Sequence, residues 1–219
     1  MSSNTVNGAA LVAGMKNPVQ ATQVVFRSAL KAMSEPGTLV NIRQNNGAGE
    51  LYPAMFALSL ALMDQHTPLW LAADFSQPEV IKNLQFHTAV TFTHEPQAAM
   101  FAIAKADQID DFSVFNSGTD ESPEMSCSIL LQVSYLAALG DHSQSAGECT
   151  ILKLTGPGIQ SYKQVCVADL SPQLLDYLTR RVTPFPRGLD FYLVSAGQLL
   201  CIARTTLVEI INRGNTSCM

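Results

Sequence analysis

Charge is scarce in this chain of 219 residues. Asp, Glu, Lys and Arg make up 14% of it, where about 25% is usual for a globular protein. A surface so poor in charge predicts a sizeable face covered by a partner. The net charge of −5, with no basic stripe, argues against a nucleic-acid partner, because phosphate backbones are met with lysine and arginine. No apolar run approaches the roughly 20 residues a bilayer span needs. The longest lies near Tyr52–Met63, so no membrane insertion is expected. The opening MSSNTVNGAALVAGMKNP shows no charged region ahead of an apolar core, so it does not read as a secretory signal.

Chemistry-bearing motifs are equally sparse. There are five cysteines, Cys127, Cys149, Cys166, Cys201 and Cys218, with no CxxC pair. An odd number set in apolar runs predicts reduced, buried thiols in a cytoplasmic protein. Of the four histidines, His66, His87, His94 and His142, only His87 and His94 are close. They are seven apart on a strand-like segment and point to opposite faces, which is poor zinc geometry. The acidic stretch from Lys105 to Glu124 lacks the regular carboxylate spacing of a Mg²⁺ or Ca²⁺ loop and reads as solvated loop around a short helix at Asp107–Phe115. No GxSxG elbow, no Walker loop and no full dinucleotide fingerprint occurs. Thr155-Gly156-Pro157-Gly158 holds only a GxG, with Ser161 at the third glycine's place, and reads as a turn. Lys153 lies in a strand ahead of that turn, where an exposed position outweighs a Schiff-base role. No catalytic residue, metal or cofactor is therefore assigned.

What is present is scaffold. Residues 1–16 are small and polar and read as a flexible tail. Residues 17–219 read as a single α/β domain. The segment Phe26–Gly37, FRSALKAMSEPG, is amphipathic. Phe26, Leu30 and Met33 fall at i, i+4, i+7 with Val25, Ala29 and Ala32 beside them, predicting one buried stripe, with Arg27 and Lys31 in water. Ser34-Glu35-Pro36-Gly37 ends the helix. Further helices are expected at Pro53–Met63, Gln77–Phe86 and Gln173–Arg181, the last capped by Ser171-Pro172. Strands are expected at Thr38–Arg43, Leu69–Ala72, Thr88–Thr93, Met100–Ala104, Ser128–Val133, Cys149–Leu154, Leu189–Val194 and Leu199–Ile202. Ser195–Gln198 reads as a hairpin turn, and Gly140–Gly147 as a loop. Together these predict a mixed sheet flanked by helices in three layers.

The last forty residues concentrate arginine: Arg180, Arg181, Arg187, Arg204 and Arg213. Arginine suits bidentate binding of carboxylate or phosphate. Arg180, Arg181, Arg187 and Arg204 are candidates for an anion site or an acidic partner face, against the plainer reading of surface ion pairs.

Several segments in order resemble the PhnH family of the bacterial carbon–phosphorus lyase system. They are Phe26-Arg27 with KAMSEPG (31–37), LQFHT (84–88), Ser117-Gly118-Thr119, ILLQV (129–133), LTGPGI (154–159), PFPRGLD (184–190) and RTTLVE (204–209). Ala203 departs from the proline usual before Arg-Thr-Thr. The family pattern rests on Phe26, Met33, Pro36, Gly37, Gly156, Gly158, Pro184, Pro186, Gly188, Asp190 and Thr205. The resemblance implies a reduced version of the pyridoxal-phosphate-dependent transferase fold without its cofactor lysine. It implies an accessory or scaffolding subunit in organic phosphonate catabolism, partnered by PhnG, PhnI and PhnJ and forming a homodimer when isolated. Together with PhnL, that complex joins a phosphonate to the ribose of a nucleoside triphosphate, displacing the base. No catalytic residue of the subunit is implied. The alternative is a stand-alone anion- or nucleotide-binding enzyme or sensor built on the arginine cluster.

Overall fold

A computed structural model describes residues 10–43, 46–139, 149–180 and 183–212. The 140–147 loop and Arg181 and Arg213 lie outside these residues, as does Cys218.

Helix α1 runs Pro18–Ser34, with proline at its start, where the missing N–H costs nothing. Gly37, at φ 78°, turns the chain and donates its N–H to Cys201 O at 3.2 Å. The strand that follows, β1, is only Val40–Asn41, shorter than the Thr38–Arg43 expected. Helix α2, Pro53–Leu62, is buried on every side from Ala54 to Ser59. Its one polar core residue, Ser59, gives its hydroxyl to Met55 O at 3.0 Å, which removes the desolvation cost of a lone hydroxyl. Then come β2 (Leu69–Leu71), α3 (Pro78–Thr88), β3 (Phe101–Lys105), β4 (Ser128–Gln132), β5 (Leu136–Leu139), β6 (Thr150–Thr155), β7 (Lys163–Val167), α4 (Pro172–Arg180), β8 (Asp190–Val194), β9 (Gln198–Ile202) and β10 (Leu207–Asn212).

The strands form two sheets among the described residues, and this corrects the expected single one. Six strands lie in the order β1-β9-β8-β4-β3-β2, and four in the order β10-β6-β7-β5. In the first, β2, β3, β4 and β8 run parallel, with β9 and β1 added antiparallel. Parallel strands are covered on both faces, so Leu69-Trp70-Leu71 and Ile129-Leu130-Leu131 are continuous apolar runs. The second sheet is antiparallel, and β6 alternates: Thr150, Leu152 and Leu154 are buried, Ile151 and Lys153 less so. Strands β5, β7 and β10 have no counterpart in the sequence reading. Their short or polar-rich runs carry too weak an alternation to register without partners. Helix α1 packs on α2, β1 and β9, while α4 packs on β10. One apolar core joins both sheets.

Three more expectations are corrected. The buried stripe of α1 is Val25, Ala29 and Ala32, while Phe26 and Leu30 are 45% and 53% exposed. The two stripes lie about 100° apart on the helix wheel, and the small alanines let α1 approach the sheet closely. No strand forms at Thr88–Thr93. Helix α3 extends to Thr88, whose hydroxyl bonds Leu84 O at 2.7 Å, and Phe92 makes only a single bridge to Leu69. Cys149 and Cys166 are bonded to each other, with Cα atoms 5.7 Å apart. The β6–β7 register sets Ile151 opposite Cys166 and so brings a cysteine 17 residues away alongside. Cys127 and Cys201 are free and buried. Ahead of α1, Val12 N–H donates to Asn83 Oδ1 at 2.7 Å, Asn83 Nδ2 donates to Ala10 O at 2.9 Å, and Val12 and Met15 pack on the core.

Candidate functional site

Segments 34–38, 154–163, 184–190 and 204–206, far apart in the chain, meet at one corner of the molecule, while Phe26 lies exposed further back on α1. Gly158 rests on the end of α1, where an added Cβ would fall 2.0 Å from Ser34 O and 3.1 Å from the Pro36 ring. At φ 80° this position also needs the left-handed region that glycine enters freely. Gly156 rests on the 205–206 backbone, where an added Cβ would fall 3.0 Å from Thr205 O. Gly188 faces the Arg204 side chain. Lys163 crosses the corner, its ammonium donating to Thr38 Oγ1 and to Glu35 O. Pro184, Phe185, Pro186 and Arg187 form the adjoining turn, closed by Arg187 N–H to Pro184 O at 3.1 Å. The Phe185–Pro186 peptide is cis.

Asp190 and Arg204 are the electrostatic centre of this corner. Arg204 is mostly buried, and all three of its guanidinium nitrogens donate: Nε to Asp190, one terminal nitrogen to Pro123 O, the other to Ser126 Oγ and Asp190. Its backbone N–H also binds Asp190 Oδ1 at 2.8 Å. The side chain thus ties β8, the β9–β10 turn and the 123–126 segment together. Those donors are committed to the fold rather than presented to solvent.

The other candidate arginines are differently placed. Arg180 pairs with Asp176 one helical turn back, at 2.6 Å, on the exposed surface. Such i,i+4 pairs contribute only a few tenths of a kcal/mol. Arg187 lies 3.2 Å from Asp120 Oδ1. The structure brings Arg187 and Arg204 to one small cavity and leaves Arg180 elsewhere. Lys153 points outward and meets Glu209, its cross-strand neighbour, at 2.9 Å.

A wide cleft among the described residues was not foreseen. It encloses about 550 Å³ at the carboxyl ends of the parallel strands, between Lys105, Gln132, Ser134, Asp169 and Ser171. Open parallel sheets present ligands there. Gln132 braces its wall, accepting from Tyr52 N–H at 2.9 Å and donating to Glu50 O at 3.0 Å. Asp74 accepts from Lys105 at 2.6 Å, and this bond lowers its carboxyl pKa and raises that of the ammonium. Asp107, Asp110 and Asp169 leave the mouth acidic. Sequence could have hinted at it only through Lys105 and Gln132 as the last residues of two parallel strands. Among the described residues no cluster of three metal-binding side chains occurs, and no helix is long and apolar enough to cross a membrane.

The profile of the family described as bacterial phosphonate metabolism protein (PhnH) matches residues 13–209. The chain belongs to the PhnH family. Among characterised relatives, it is 31% identical over 199 residues to the PhnH subunit of alpha-D-ribose 1-methylphosphonate 5-triphosphate synthase from Rhizobium meliloti (strain 1021), covering 88% of this chain and 92% of that one. A second relative, from Stutzerimonas stutzeri, is provisionally named as the C-P lyase subunit protein HtxG. It is 26% identical over 188 residues, 86% of each chain. Within the matched residues, the turns at 34–37, 156–158 and 205–206 clasp each other at one corner, with backbone lying against Gly156 and Gly158.

Proposed function

We propose that this PhnH chain is a docking subunit of a carbon–phosphorus lyase assembly. Its work supports the transfer of a phosphonate to the ribose of a nucleoside triphosphate, with release of the base, and its partners are PhnG, PhnI and PhnJ in the cytoplasm. One observation carries the reading: α1 has a second apolar stripe that the fold does not cover. Val19, Phe26 and Leu30 lie on one line of the helix and are 74%, 45% and 53% exposed. Three large apolar side chains in register on an exposed face mark a surface meant for burial.

The occupant is a different subunit, not a second copy. Residues 18–34 hold Arg27 and Lys31 and no carboxylate, though Lys31 is paired with Glu35 just past the helix end, which leaves Arg27 as the main charge beside the stripe. Two such helices face to face would oppose like charges, whereas an apolar face flanked by Asp or Glu would complement them. A homodimer of the isolated chain on this face is the competing occupant. The reading of a stand-alone anion-binding enzyme is weakened because Arg180 and Arg204 are already engaged. The run of parallel strands does not favour the transferase-like element of the resemblance, because it is common to α/β folds at large.

The test is capture of tagged full-length chain from phosphonate-grown cells, with and without Phe26→Glu and Leu30→Glu. The expected result is recovery of PhnG, PhnI and PhnJ with the parent chain, and their loss with a variant that keeps its melting temperature. Equal recovery with both chains, or no recovery with either, would overturn the proposal. So would a parent chain that is a stable dimer and a double variant that is monomeric yet still captures the subunits.

A further inference from the structure

Two buried side-chain atoms among the described residues have no hydrogen-bond partner: Nε of Arg187 and Oγ1 of Thr206. Both residues line the same cavity, about 40 Å³ in volume, under the Pro184–Gly188 turn. An unpartnered buried polar group costs about 1–3 kcal/mol, and two such groups facing one space call for a shared partner. Thr206 is only 5% exposed, so bulk water does not serve its hydroxyl. Asp120 approaches Arg187 Nε at 3.2 Å, without hydrogen-bond alignment, and its own side chain is 74% exposed. That contact is a weak, displaceable charge pairing.

The size and polarity of the space select the partner. One water needs roughly 10–15 Å³ of such volume, so the space holds a few water-sized groups, on the scale of one small polyatomic anion. The walls offer a guanidinium N–H and the Thr206 hydroxyl, the Thr183 hydroxyl being engaged with Tyr177, and Gly188 adds no side chain. Arg204 also lines the space, but Asp190 cancels its charge. Asp120 pairs with Arg187 from an exposed position that it can leave, so Arg187 is the charge an anion can claim, and the donors favour a ligand that accepts.

We infer that this cavity is a binding site for a small tetrahedral oxyanion of the phosphate and phosphonate class, held by Arg187 and Thr206. In the free protein Asp120 stands near Arg187, and the anion takes its place. The inference concerns the isolated chain and does not rest on the docking reading. A chain that captures no partner can still bind the anion.

The experiment is calorimetric titration of the full-length protein at low salt, with inorganic phosphate and with methylphosphonate as separate probes. One saturable site is expected for at least one of them. Arg187→Gln and Thr206→Val are each expected to weaken it about tenfold or more, since a hydrogen bond to a charged group is lost. Asp120→Asn should tighten it, and Arg180→Gln, outside the cavity, should leave it unchanged. Melting temperatures of all variants with saturating phosphate provide a second readout. If Thr206→Val does not fold, Thr206→Ser, which restores the hydroxyl, should retain binding while Arg187→Gln loses it. No saturable binding of either probe up to about 10 mM, binding indifferent to both Arg187→Gln and Thr206→Val, or a phosphate-soaked crystal with only water in the cavity would each overturn the inference.

Discussion

Gly158 lies directly against the carbonyl oxygen of Ser34, so closely that a Cβ at 158 would sit 2.0 Å from it. The contact joins the end of α1 to the turn between β6 and β7, and so joins the two sheets. Gly158→Ala therefore has to move one of two backbones and strain a φ of 80°. A loss of roughly 2–4 kcal/mol is expected, read as a lower urea midpoint. A change below about half a kcal/mol would show that this corner is more yielding than its geometry.

Arg204 and Asp190 should behave as a buried, hydrogen-bonded pair. Arg204→Met leaves the Asp190 carboxylate without its guanidinium and is expected to cost about 3–5 kcal/mol. Arg204→Met combined with Asp190→Leu should cost less than Arg204→Met alone. Denaturation of the two single variants and the double variant gives the coupling energy. A double variant as unstable as the sum of the singles would refute the pairing.

The two stripes of α1 predict opposite responses. Ala32→Leu forces a larger side chain into a fully buried position and should cost about 1–3 kcal/mol. Leu30→Ala, on the exposed stripe, should change the isolated chain by less than about half a kcal/mol. Thermal melts of the purified chain check both, and the reverse order would restore the stripe read from sequence.

Alkaline pH should destabilise the fold. Burial raises the pKa of the Cys127 and Cys201 thiols and of the Tyr192 hydroxyl, and of Tyr177 to a lesser extent. Folded-state values above the unfolded ones mean the native state keeps its protons while the unfolded chain releases them. Stability is then full below the ordinary thiol value of 9.0 and falls as pH rises beyond it. Urea midpoints at pH 7 and pH 10 should show the loss, smaller in Cys127→Ala. Both thiols should also resist a thiol reagent in the folded protein.

Asn83 holds the strap of residues 10–16 on α3. Asn83→Ala removes the acceptor of Val12 N–H and the donor to Ala10 O. Release of the strap should speed tryptic cleavage after Lys16 severalfold, with the 17–219 fragment remaining folded. Unchanged cleavage would place the hold on Val12 and Met15 packing instead.

Composition and periodicity determined much by themselves. Proline and glycine positions marked where α1, α2 and α4 begin or α1 ends, because those residues restrict or free the backbone locally. Unbroken apolar runs marked β2, β3 and β4, because parallel strands are covered on both faces. The motif segments carried the PhnH family. Tertiary structure alone decided which apolar stripe of α1 faces the core, since both have helical spacing and only the sheet's closeness favours the alanines. It alone divided the strands between two sheets, paired Cys149 with Cys166, and brought Arg187 to Thr206. Each of these depends on distance between residues far apart in the chain, and local propensity holds no record of that.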